Sequence, residues 1–198
     1  MRGHSKALIK KRIRQSIECK QSILEDDELA KQIYETSKIC ARAIHFGGKV
    51  IFAGNGGSFA DAQHLCAEFV SRLYTDRSPL PSITLGTNSS CVTAIANDYD
   101  YKYVFSRELE CLGKSNDVLI GITTSGNSEN ILEAILMSKE LGMKAIGLTS
   151  CKKGKITSLC DCLEVPSMYT TIVQESHIMI GHVLCELAEI ELEALKAP

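Results

Sequence analysis

His64 and Glu68 stand four residues apart, a spacing that on a helix puts both side chains on one face, within reach of a common metal ion or substrate. Further along, Gln174, His177 and His182 fall within the run Val-Gln-Glu-Ser-His-Ile-Met-Ile-Gly-His. On an ideal helix Gln174 and His182 would lie roughly 80° apart around the axis and about 12 Å apart along it. Holding one ion with both would strain such a helix. A long Gln side chain reaching forward, a distorted helix start, or ligands from different subunits would each relieve the strain. A lone His-x-x-x-Glu is more often a surface pair than a site, and His177 taken alone reads as structural.

Two further stretches carry donors rather than acids and bases. Asn55-Gly56-Gly57-Ser58 and Thr123-Thr124-Ser125-Gly126-Asn127-Ser128 each close a short apolar run and open a helical one. A helix N-terminus offers unpaired N–H groups and a partial positive charge, which suits a phosphate dianion. Gly56 and Gly57 let the backbone come close, and Ser58, Thr123, Thr124, Ser125 and Ser128 add hydroxyl donors. Either turn alone reads as a tight turn with capping residues; two of them at strand ends favour anion binding. Neither fits the P-loop pattern or the dinucleotide fingerprint, so a phosphomonoester is expected rather than a nucleotide.

These groups must be positioned by the elements around them. Leu8, Ile9, Ile13, Ile17, Ile23 and Leu24 recur at near-helical spacing, and a second helix follows Asp26–Asp27 and ends at Gly47–Gly48. Apolar runs at Lys49–Gly54, Ser82–Gly86, Asp117–Thr123, Lys144–Thr149 and Cys162–Val165 read as five strands. Helical stretches alternate with them: one to about Leu73, short ones through Cys111, one to about Gly142, and a long last one from about Thr170 to Leu195. That alternation implies a parallel sheet covered on both faces, with ligands bound beyond the carboxyl ends of its strands. No linker or low-complexity segment divides the chain, so 1–198 is read as one domain.

The bulk composition agrees with a globular domain: 198 residues, 44% hydrophobic, 23% charged, formal net charge −2. No global field draws it to nucleic acid or an acidic membrane, and no stretch approaches a membrane span. Lys6, Lys10, Lys11, Arg12 and Arg14 make the solvated basic face of an amphipathic helix rather than a signal peptide. Nine scattered cysteines without a C-x-x-C pair suit a reduced, cytoplasmic protein. Alternation along a strand accounts for Cys160 and Cys162.

Ala-Gly-Asn-Gly-Gly-Ser58, Asp61-Ala62-Gln63-His64 and Glu68 together resemble the phosphoheptose isomerase family within the sugar-isomerase (SIS) fold. The likeness continues through Ala94–Tyr99, which includes Asn97 and Asp98, then Phe105-Ser106-Arg107, Gly121–Ser128, Gln174-Glu175-x-His177 and His182. It implies a three-layer αβα sandwich on a five-stranded parallel sheet. Residues 1–46 would be extra N-terminal helices contributing to oligomerisation, and 49–198 the doubly wound core. It further implies a homotetramer with active sites at subunit interfaces and one zinc per subunit, held by His64, Glu68, Gln174 and His182. By the same resemblance Ser58, Thr123, Thr124, Ser125 and Ser128 hold phosphate, Asn55, Asn97 and Asp98 line the sugar pocket, and Arg72 stands close to the substrate. Ile172 occupies a position where relatives commonly carry a basic residue.

The implied activity converts sedoheptulose 7-phosphate to D-glycero-D-manno-heptose 7-phosphate for surface-polysaccharide heptose. Proton transfer through an enediol needs one base and one acid near C1 and C2; the resemblance makes Glu68 the base and His182 the acid. The alternatives are a non-catalytic sugar-phosphate-binding or protein-binding module of the same fold, and a different sugar-phosphate isomerase without metal ligands. The presence of both Glu68 and His182 argues against the module.

Overall fold

A computed structural model of the chain describes residues 3–196, so the outermost two residues at each end of the span read as one domain lie outside the described residues. Two helices come first, α1 (Gly3–Leu24) and α2 (Asp27–His45). The Asp26 carboxylate accepts the Leu29 N–H at 2.9 Å and caps α2. Strands and helices then alternate: β1 (Val50–Gly54), α3 (Gly57–Val70), β2 (Ser82–Thr84), α4 (Ser89–Asp98), a 3-10 turn (Tyr101–Tyr103), α5 (Val104–Leu112) and β3 (Val118–Ile122). After these come α6 (Glu129–Glu140), β4 (Lys144–Ser150), β5 (Asp161–Val165) and α7 (Thr170–Lys196).

All neighbouring strands pair in parallel, in the order β2-β1-β3-β4-β5. Because successive strand residues point to opposite faces, each strand feeds two cores. Val50, Phe52, Val118, Ile120 and Ile122 pack with residues of α2, α3 and α7. Ile51, Ala53 and Leu119 pack on the other face with residues of α5 and α6. The result is the expected three-layer αβα sandwich. Both faces being buried explains why β1 and β3 read as continuous apolar runs rather than as alternating ones.

Two element ends differ from expectation. The second strand stops at Thr84 rather than Gly86, because the Gly86 N–H turns to the Glu108 carboxylate at 2.6 Å. The first crossover helix stops at Val70 rather than near Leu73. There the guanidinium of Arg77 takes the carbonyls of Glu68 and Phe69, each at 2.9 Å, in place of further helical N–H groups. All nine cysteines are free. Among the described residues, no helix is long and apolar enough to cross a membrane.

What positions the site is the contact between α3 and α7. A Cβ on Gly181 would lie 2.5 Å from the Leu65 side chain, so only glycine lets the helices approach this closely. The Cys185 thiol continues the seam by facing the Leu65 carbonyl. With Gln174 against Gly57 and Gly181 against Leu65, the two helices run side by side in the same direction. Residues far apart in the chain therefore meet in register.

Candidate active site

On that seam α3 contributes His64 and Glu68, and α7 contributes His182. His64 Nε2 lies 3.0 Å from Glu68 Oε1 and 3.2 Å from His182 Nε2, and His182 Nε2 lies 3.9 Å from Glu68 Oε1. The two rings meet edge to face, with centroids 4.9 Å apart. The three potential ligand atoms all fall within 4.8 Å of one another. Glu68 is mostly covered, whereas half of the His64 side chain faces solvent (52% exposed). Oε1 of Glu68 is the oxygen nearer both imidazoles, and among the described residues Oε2 makes no hydrogen bond.

Gln174 is held elsewhere on the same seam. Its amide packs against Gly57 at the start of α3, where a Cβ would come within 2.2 Å of the amide nitrogen. α7 is unbroken from Thr170 onward, so the separation between Gln174 and His182 that the sequence spacing demands is retained. Within one chain the structure brings two imidazoles and one carboxylate together and leaves Gln174 at the glycine turn.

Of the arginines, Arg72 is exposed and makes no hydrogen bond among the described residues. No motif or spacing singles out Arg77, yet it is the anchored one. Its side chain is 12% exposed, it is paired with Glu189 of α7, and it binds the carbonyls at the end of α3, that of Glu68 included. It fixes the backbone from which the Glu68 carboxylate projects.

Both loops expected to bind phosphate lie at the carboxyl ends of their strands. Gly56 adopts φ +56°, a left-handed conformation that disfavours any side chain, and it caps α3 without a side-chain hydrogen bond. Ser128 likewise leaves α6 without a side-chain cap, because its hydroxyl turns to Thr123 Oγ1 at 3.0 Å. Ser125 joins the same hydroxyl cluster at 3.3 Å. By contrast, α2 and α4 are capped by Asp26 and Asn88. The two helices that follow the candidate loops thus keep N–H donors at their starts. Ser58 is buried (4% exposed) and Thr123 equally so (3%), while Thr124, Ser125 and Ser128 remain partly open. The Thr124 carbonyl accepts the Ser150 hydroxyl, which holds that loop to β4.

Asn55 lines a cavity of about 230 Å³ together with Gly54, Gly56, Gly86 and Tyr101. Its amide pairs with that of Asn130, which lies just past Ser128 in the first turn of α6. Asn130 was not among the candidates. Its place beside the hydroxyl loop was the available signal, and helix position alone could not reveal a partner in the turn after β1. Asn97 and Asp98 bond to each other at 2.9 Å on the exposed end of α4, and neither hydrogen-bonds to the imidazole–carboxylate group. A larger cavity of about 570 Å³, lined by residues of α5 and α6 such as Arg107 and Glu133, contains none of the candidate residues.

Two further ionisable groups lie on the same two helices, one buried and one half-buried. His177 is fully buried with Nε2 on the Thr149 carbonyl at 2.9 Å, and burial pushes its imidazole down to about 4. It is a neutral core residue. Asp61 sits one turn before His64, and its Oδ2 is buried without a hydrogen-bond partner. Burial raises its carboxyl above the usual range, with His64 acting in the opposite sense. Ile172 is 4% exposed and belongs to the core beneath α7.

Comparison with known proteins extends the likeness over nearly the whole chain. Residues 14–150 match the SIS domain family. A phosphoheptose isomerase of Aneurinibacillus thermoaerophilus is 50% identical over 182 residues, 91% of this chain and 92% of the relative. One of Sulfurimonas denitrificans is 47% identical over 94% of this chain and 96% of its own length. The solved phosphoheptose isomerase of Neisseria gonorrhoeae superposes with a TM-score of 0.87 at 35% identity, covering 93% of this chain and 98% of that one. That of Francisella tularensis gives 0.89 at 34% identity, over 93% and 97%.

Proposed function

The chain belongs to the phosphoheptose isomerase family of SIS-domain proteins, and on that premise we propose that it interconverts sedoheptulose 7-phosphate and D-glycero-D-manno-heptose 7-phosphate by proton transfer through an enediol. The observation that carries the reading is the meeting of a carboxylate from α3 with an imidazole from α7, Glu68 Oε1 to His182 Nε2 at 3.9 Å. One of the loops able to hold a phosphate opens the same helix, α3, that carries Glu68.

In this reading the phosphate is taken by the N–H groups that open α3 and α6 and by the hydroxyls of Thr124, Ser125 and Ser128. The other end of the ketose then faces the seam. Glu68 removes a proton from C1, and His182 supplies a proton to the carbonyl oxygen at C2, giving the 1,2-enediol. Return of the proton to C2, with loss of the proton on the C1 oxygen, leaves the aldose. Oε1 of Glu68 is the oxygen nearer the imidazoles, and Oε2 is assigned the proton.

His64, Glu68 and His182 also fit a zinc ion. Ligand atoms about 2.0–2.1 Å from a tetrahedral ion lie about 3.4 Å from one another, and the three separations here are 3.0, 3.2 and 3.9 Å. Gln174, whose amide rests at Gly57, is proposed as the fourth ligand, reached by rotation of its side chain. A zinc held there would polarise the substrate carbonyl and stabilise negative charge on the enediol oxygens.

The reading extends to a cytoplasmic homotetramer with its sites at subunit interfaces, whose product feeds heptose into surface polysaccharide. Three features support the assembly: the openness of His64, a cavity beside Asn55 smaller than the roughly 300 Å³ usual for a ligand pocket, and the exposed Leu8, Ile9, Ile13 and Ile17 along α1. A non-catalytic module is not favoured, since a binding surface has no need of the acid–base pair.

The experiment is turnover of sedoheptulose 7-phosphate in D2O, followed by NMR. An aldose phosphate carrying solvent deuterium at C2 is the expected product. Product without any deuterium would point to hydride transfer, and absence of an aldose phosphate would remove the isomerase reading.

A further inference from the structure

Asn55 and Asn130 form a reciprocal amide pair. Asn55 Nδ2 donates to Asn130 Oδ1 at 2.8 Å, and Asn130 Nδ2 donates to Asn55 Oδ1 at 2.8 Å. The Tyr101 hydroxyl donates to the same Asn55 Oδ1 at 3.2 Å. A carboxamide has two acceptor lone pairs and two N–H donors. The oxygen of Asn55 is therefore fully used, and its nitrogen keeps one N–H.

That remaining N–H belongs to a residue that is half-buried at the end of β1 and lines the cavity beside Gly56 and Gly86. Asn130 is 4% exposed and has no path to a ligand of its own. A buried amide whose polar atoms are matched one to one with a neighbour's is a rigid clamp. It also ties the glycine turn after β1 to the hydroxyl loop before α6, and so sets the distance between the two loops proposed to share one phosphosugar.

We infer that Asn130 and Tyr101 are positioning residues, which hold the Asn55 amide so that it offers the cavity a single N–H donor for a sugar or phosphate oxygen. The inference rests on the proposed isomerase reading and refines it: the substrate group next to Asn55 is a hydrogen-bond acceptor. Neither Asn130 nor Tyr101 needs to touch the substrate for this.

The test is a double-mutant cycle on kcat/KM for the heptose phosphate, with thermal melts alongside. Wild-type turnover comes first, because its absence overturns the isomerase reading itself and not the clamp alone. Given turnover, Asn55→Ala and Asn130→Ala should each lower kcat/KM by roughly tenfold to a hundredfold, chiefly through KM. The double variant should then be no worse than Asn55→Ala. Losses that multiply would overturn the inference, since Asn130 would then be acting on something other than Asn55. If Asn130→Ala does not fold, Tyr101→Phe closes the same cycle, because it removes one hydroxyl from a side chain that is 53% exposed. It should weaken the wild type and leave Asn55→Ala unchanged; an equal loss in both backgrounds, or in neither, overturns the clamp.

Discussion

The Nε2 atoms of His64 and His182 lie 3.2 Å apart, although 118 positions separate the two residues in the chain. Two imidazole nitrogens facing each other can share only one proton between them, so at least one presents a lone pair. The Glu68 carboxylate approaches the same point from a third side. Three electron-rich atoms so close together are balanced by a proton or by a cation. In the second case the carboxylate needs its second oxygen, Oε2, for the chemistry.

The metal ligands should not be equal. His64→Ala removes one of three groups already in place, and we expect zinc affinity to fall by at least about a hundredfold. Gln174→Ala removes a side chain that rests at Gly57 and should cost markedly less. Elemental analysis and zinc titration of the two purified variants measure this. Equal losses would mean that Gln174 is as fully engaged as His64, and a zinc-free protein with full turnover would end the metal proposal.

Glu68→Gln keeps the size and one oxygen of the side chain but removes the base. Turnover should fall by roughly a hundredfold to ten-thousandfold, with KM changed far less, because the proposed phosphate site draws on other residues. Steady-state kinetics decide the matter. A variant retaining near-wild-type kcat would take Glu68 out of the proton transfer.

The sheet, the two donor-rich loops and the His64–Glu68 pair each have a local signature in the sequence: an apolar run, glycine beside hydroxyls, four-residue spacing. His182 joined that pair only through the family resemblance. What was not legible were the long-range choices between equals. Nothing local distinguishes Arg77 from Arg72, and only the fold shows which one reaches Glu189 and the carbonyls closing α3. Asn130 reads as an ordinary first-turn residue until β1 puts Asn55 opposite it. Ser58 looked like an open hydroxyl and is buried, since the first turn of α3 folds back over Gly54. The Gln174 difficulty, by contrast, was foreseeable from the geometry of a regular helix alone.

Gly181→Ala tests how tightly the seam sets the site. The added methyl would press within 2.5 Å of Leu65, which is itself 1% exposed and has little room to yield. Overpacking of this kind costs about 1–3 kcal/mol. It should also push α7 away from α3, parting His182 from His64, so zinc affinity and kcat should drop together with the melting temperature. A variant that melts lower but binds zinc and turns over normally would show that the helix contact supports the fold without positioning the chemistry.

His177 gives the stability of the protein a defined pH dependence. In the unfolded chain its imidazole takes a proton near pH 6.5, whereas in the folded core it stays neutral down to about 4, because burial disfavours the charge. Between those values the unfolded state binds the extra proton. The stabilisation is therefore complete above pH 6.5 and is lost as pH falls from 6.5 towards 4. From pH 7.5 to 5.5 the loss attributable to this one group is on the order of 1 kcal/mol. His177→Gln keeps a donor for the Thr149 carbonyl but has no titrating group, so its urea stability should fall by that much less over the same interval. Parallel pH profiles for wild type and variant would mean that His177 takes up its proton without unfolding, and that the core around Thr149 is open to water.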